Sequence, residues 1–99
     1  MKKIVLASVI ATSSVLALDL EKIHQSCAQC HGADYTTQAM GVGQVVADMS
    51  LQEIKKTMIG YKDGTYGGRM QALMAAHVKD YSDDELNEIS KYVYDIINE

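Results

Sequence analysis

The sequence predicts an all-α fold in a single small domain. Three observations carry this. Apolar residues recur at helical spacing before residue 31, after residue 50 and after residue 82. Two Ser-x-x-Glu capping boxes, Ser50 to Glu53 and Ser82 to Glu85, mark helix starts just ahead of such runs. No stretch alternates apolar and polar residues as a strand would. The 99 residues suffice for one domain, yet there is no Phe and no Trp, and the aromatics are six tyrosines. Protein side chains alone therefore supply a small core.

Residues 1–17 read as a cleaved secretory signal peptide. Lys2 and Lys3 form its positive start, Ile4 to Leu16 its apolar centre, and Val15-Leu16-Ala17 a cleavage site with small residues at −1 and −3. The apolar stretch is too short to span a bilayer, so no stable membrane insertion is expected. The functional domain is then 18–99. Without Lys2 and Lys3, seven cations face thirteen acids, a formal charge of −6. A chain this acidic is not expected to bind nucleic acid, whose backbone needs a basic surface.

The first mature helix is expected over Asp19 to Cys30, with Leu20, Ile23 and Cys27 as its stripe and Asp19 and Glu21 at the positive end of its dipole. It ends in Cys27-Ala28-Gln29-Cys30-His31, the pattern of a c-type haem attachment site. On a helix, Cys27, Cys30 and His31 share one face. Two thiols can there form thioethers with one haem's vinyl groups while the imidazole reaches the iron. Rival readings are weaker. A redox dithiol wants a βαβ setting. A zinc site needs four ligands, and beyond the motif only His24 and His77 remain. A disulfide leaves His31 unexplained, and its formation would consume both cysteines. The missing core volume is expected to come from the covalently held macrocycle. His24, three residues before Cys27, reads as a partly exposed histidine rather than a ligand.

Gly32 to Asp48 is expected to be a loop packed around one side of the haem, with glycines at 32, 41 and 43 marking turns. A backbone carbonyl from it should accept the Nδ1–H of His31, as ligating histidines usually require. A short helix follows over residues 51 to 59, carrying Leu51, Ile54 and Met58, with Gly60 at its C′ position. Residues 61–68 form a turn-rich loop with two tyrosines. The segment from Arg69 to His77 offers Met70, Leu73, Met74 and His77. The last helix carries Leu86, Ile89, Val93, Ile96 and Ile97 on one face and is expected to cross the first. Met40, Met49 and Met58 read as core gap-fillers.

These residues together resemble a class I c-type cytochrome of the small single-haem periplasmic kind. The resemblance rests on Cys27 to Asp34, on Tyr61-Lys62-Asp63-Gly64-Thr65-Tyr66-Gly67-Gly68, and on Tyr81 to Leu86. It implies a cytochrome c fold with the first and last helices crossing, loops wrapped around one covalent haem c, and a methionine as distal iron ligand. The ligand in similar members comes six residues after the double glycine. That points to Met74, with Met70 as second choice. His77 would lie beyond it. One departure stands out: many members carry a proline whose carbonyl accepts the proximal histidine's N–H, and Val45 occupies about that place here.

A haem ligated by His31 and methionine has no open position, so the expected function is one-electron transfer rather than enzyme catalysis. The resemblance implies a periplasmic monomer in a respiratory chain, passing electrons to or from an oxidase, peroxidase or reductase. The alternative is a haem-based gas sensor or small haem enzyme with an open distal site and His77 as its polar group.

Overall fold

The computed structural model describes residues 18–99, and the leader expected over 1–17 lies outside the described residues. Among the described residues four α-helices form, three of them where the apolar spacing and the capping boxes lead one to expect them: α1 Leu20–His31, α2 Leu51–Asp63 and α4 Asp83–Ile97, with α3 Gln71–Val78 between. No strand occurs among the described residues. The Asp19 carboxylate starts α1 by accepting the Lys22 N–H at 3.1 Å. Both capping boxes are closed. The Ser50 and Ser82 hydroxyls each accept an N–H from the third helical residue at 3.1 Å. Glu53 and Glu85 each accept the serine's own N–H, at 2.8 and 2.9 Å.

The second helix runs longer than its sequence suggests, and Gly60 is not its cap. The helix continues to Asp63 and ends at Gly64, which takes the left-handed φ of 85° that favours glycine there. Gly60 serves a close approach instead. The loop after α2 folds back over it, with the Thr65 and Tyr66 amides both donating to the Gly60 carbonyl at 2.9 and 3.3 Å. A Cβ at residue 60 would meet the Tyr66 Cβ at 2.7 Å. The segment from Arg69 is also divided: a 3-10 turn over Gly68–Met70 precedes α3.

Helix α2 packs against α3 and α4, and α4 also touches α1. The fully buried apolar core is Tyr35, Ile54, Val78, Leu86, Ile89 and Val93. Three of these six come from the stripe read on α4, while α1 buries none of its residues completely. Terminal helices meet at their surface as well, where the Tyr92 hydroxyl donates to Glu21 Oε1 at 2.9 Å. Between α1 and α2 lies the loop of residues 32–50, which holds two 3-10 turns, Ala39–Gly41 and Val46–Asp48. Met49 and Met58 pack on the core as expected. Met40 does not: it is 68 % exposed on the first turn. No described helix is long and apolar enough to cross a membrane.

The contact at Gly60 makes a test. Alanine improves a helix interior by about 1 kcal/mol over glycine, but overpacking costs about 1–3 kcal/mol. The opposing atom is a Cβ anchored to its own backbone and cannot swing aside. Gly60→Ala should therefore lower the melting temperature in thermal unfolding, and an unchanged or higher value would contradict the packing described.

Candidate functional site

The last turns of α1 open onto one cavity of about 480 Å³, a size typical of cofactor sites, which run about 300–1,000 Å³. Cys27, Cys30 and His31 all line it, as the spacing on one helical face requires. Met70, Met74 and His77 reach the same cavity from the turn and helix after the double glycine. The remaining wall is largely apolar: Ile54 and Met58 from α2, Ile89 and Val93 from α4, and Met40, Val42 and Val46 from the loop. Arg69 is the one Lys or Arg among the lining residues, and it is exposed.

Cys27 is half-buried and Cys30 exposed. Burial pushes the Cys27 thiol up from its ordinary pKa, against a hydrogen bond with Tyr35 that pulls it down. Burial also holds the His31 imidazole below its ordinary value, and the charge of His77 adds to that effect. His31 is thus neutral near pH 7, with a lone pair available to a metal. Among the described residues, no three His, Cys, Asp or Glu side chains cluster as a metal site. His24 and His77 therefore do not complete a zinc set with the cysteine pair.

His31 Nδ1 is buried and has no hydrogen-bond partner. The loop carbonyl expected to accept it is not supplied. Val45, at about the place of the family's proline, has an oxygen that receives the Asp48 N–H at 3.0 Å, closing a 3-10 turn. The loop lines the cavity as expected, but its backbone satisfies itself.

Sequence reasoning missed Tyr35, which is 2 % exposed and belongs to the core. Its hydroxyl and His24 Nδ1 share a hydrogen bond of 2.7 Å. Its ring stacks on His31 with centroids 6.3 Å apart. His24 in turn meets the edge of Tyr92, at 6.4 Å. A chain of contacts thus runs from Glu21 and Tyr92 through His24 and Tyr35 to His31. No periodicity marks a tyrosine in a turn-rich segment; the sole hint was its position four residues after His31.

Comparison with known proteins agrees with this geometry. A family model described as Cytochrome c matches residues 21–96. The chain is 43 % identical to a cytochrome c-553 of Nitratidesulfovibrio vulgaris over 82 % of its own length and 79 % of that protein's. It is 33 % identical to a cytochrome c-553 of Helicobacter pylori over 94 % of its own length and 96 % of that protein's. A cytochrome c-554(547) of Halothiobacillus neapolitanus is 30 % identical over 69 % of this chain and 81 % of that protein. With its helices, its cysteine pair and its apolar cavity in the places these matches span, the chain belongs to the cytochrome c family, and its cofactor is covalently bound haem c.

Proposed function

We propose that this protein is a periplasmic carrier of single electrons, holding its haem through Cys27 and Cys30 with His31 and Met74 as the two axial ligands. The observation that carries the reading is the convergence of that cysteine pair, His31 and Met74 on one apolar cavity. The residues present suit a haem. The wall is apolar, and the one unpartnered buried polar side-chain atom among the described residues is on His31. Leaving such an atom unpaired costs about 1–3 kcal/mol, so His31 is held at this place in the wall without a hydrogen bond from its Nδ1. Membership in the family makes the protein an electron carrier rather than an enzyme. The haem iron supplies a one-electron couple between its ferric and ferrous states.

The chain's own residues set how that couple behaves. His31, neutral and half-buried, offers nitrogen from one helix. Met74 offers a soft thioether from another, which favours the ferrous state relative to a second histidine. Ile54, Ile89 and Val93 line the cavity as buried apolar side chains, and the low dielectric they give would disfavour the extra ferric charge. With His31 and Met74 both holding it, the iron would have no position left for a substrate. Met70 also lines the cavity, but it sits at the end of the 3-10 turn, ahead of α3. Met74 is set within the regular helix and packs on the core, so its sulfur is held more firmly.

Location and partners extend this reading. The leader pattern over residues 1–17 supports export, and haem attachment to a cysteine pair outside the cytoplasm supports the periplasm. Redox partners such as an oxidase, peroxidase or reductase would meet the carrier through brief, small contacts. The exposed residues Met40, Tyr66 and Leu73, all of which line the cavity, give such a contact somewhere to form. The competing reading, a gas sensor or small haem enzyme, would use His77 facing an open iron. His77 does reach the cavity, so the two readings need separating by experiment.

Purified holoprotein should give a pyridine haemochrome spectrum of haem c and a low-spin absorption spectrum with a methionine-to-iron charge-transfer band. Met74→Ala should abolish that band and lower the midpoint potential, whereas Met70→Ala should keep the band. The opposite pattern would transfer the ligand role to Met70. Ready binding of carbon monoxide or cyanide by the native protein would favour the sensor. Cys27→Ser combined with Cys30→Ser should remove the covalent haem and with it cooperative thermal unfolding. A sharp transition in that colourless variant would show that the protein-only core is sufficient.

A further inference from the structure

Tyr35 occupies a backbone position that disfavours it. Its φ is 64°, in the left-handed region. Among the described residues every other positive φ belongs to glycine, except that of the exposed Met40. Glycine would adopt this conformation without strain. Tyr35 is nevertheless almost completely buried, so the strained residue is held in place by what its ring touches.

Besides its hydrogen bond with Cys27 and the N–H it donates to the Gly32 carbonyl at 3.1 Å, three contacts hold it. Its hydroxyl pairs with Nδ1 of His24 at 2.7 Å, the O–H donating when that nitrogen carries no proton. Its carbonyl accepts the Ala47 N–H at 2.9 Å, tying the turn over Val46–Asp48 to the loop start. Its ring lies against His31, with the planes 30° apart. His24 and His31 stand seven residues apart on α1 and therefore face the same way. Tyr35 spans the two. Metal-ligating histidines usually have their ring plane fixed by a hydrogen bond from the second nitrogen. His31 Nδ1 makes none, and the stacked tyrosine is the aromatic contact on its ring besides the helix that carries it.

We propose that Tyr35, anchored by His24, is the positioning residue of the proximal side and fixes the plane of the His31 imidazole by stacking rather than by a hydrogen bond. The proposal rests on His31 being the axial ligand. The plane of an axial imidazole governs which iron orbitals it overlaps, and so how unpaired spin spreads over the haem in the ferric state.

The paramagnetically shifted haem-methyl resonances of the ferric holoprotein read that spread. Tyr35→Gly relieves the backbone and removes the ring. It should keep the covalent haem and the methionine band yet change the order or spread of the methyl resonances. Tyr35→Phe and His24→Leu each cut the same hydrogen bond. Each should produce a smaller shift in the same direction, and the double variant should shift no further than either alone. A wild-type methyl pattern in haem-loaded Tyr35→Gly would overturn the proposal. Should that variant fail to accumulate, unchanged patterns in both Tyr35→Phe and His24→Leu would overturn it equally, as would strictly additive shifts in the double variant. Wild-type protein without a haemochrome signal would overturn the site reading at the first step, a result separate from any of these.

Discussion

The structure depends on how four helices divide their apolar side chains between one another and a shared cavity. Among the described residues only six apolar side chains are buried. More than twice that number of hydrophobic side chains are half-buried around them, among them Leu20, Ile23, Met58, Met74 and Ile97. Several of these face the cavity as much as their neighbours. In a family whose cofactor is attached by thioether bonds, this arrangement lets the cofactor act as part of the core. Stability and electron transfer are then properties of the same contacts. A substitution that loosens the wall affects both.

That constraint explains why the local signals of this chain are strong. A thin core contributes little to choosing the helix boundaries, and capping chemistry does more of the work. Ser50 and Ser82 each close a reciprocal pair of hydrogen bonds, and Asp19 supplies a third cap. Substituting such caps typically costs about 0.5–2 kcal/mol each, a large fraction of the stability of a domain this small. Surface ion pairs add less. Lys62 and Asp83 join α2 to α4 at 3.1 Å, but Asp83 is largely exposed, and such pairs are worth roughly 0–1 kcal/mol.

Most of the functional site could be read from residue spacing. Cys27, Cys30 and His31 fall on one helical face because three and four residues bring a helix back to nearly the same side, and all three line the cavity. The family resemblance, not spacing, made Met70 and Met74 candidates, and both reach it. Tyr35 was not visible. Its role comes from a left-handed backbone turn that folds the ring back under α1, and propensity argues against placing a tyrosine there. Gly60 misled for a related reason. A glycine near the end of an apolar pattern usually caps the helix, but here the returning loop needs its missing side chain, and the cap passes to Gly64.

The sequence by itself determined three of the four described helices, the capping boxes that begin α2 and α4, and the helix face that presents two thiols and an imidazole together. These follow from contacts between residues three or four apart, so they need no knowledge of the rest of the chain. The tertiary structure decided where α2 stops, that Met40 points outward, that Val45 spends its carbonyl on a 3-10 turn, and that Tyr35 lies against His31 with His24 behind it. Each depends on which distant segments come within a few ångströms once the chain closes, and no local pattern encodes that distance.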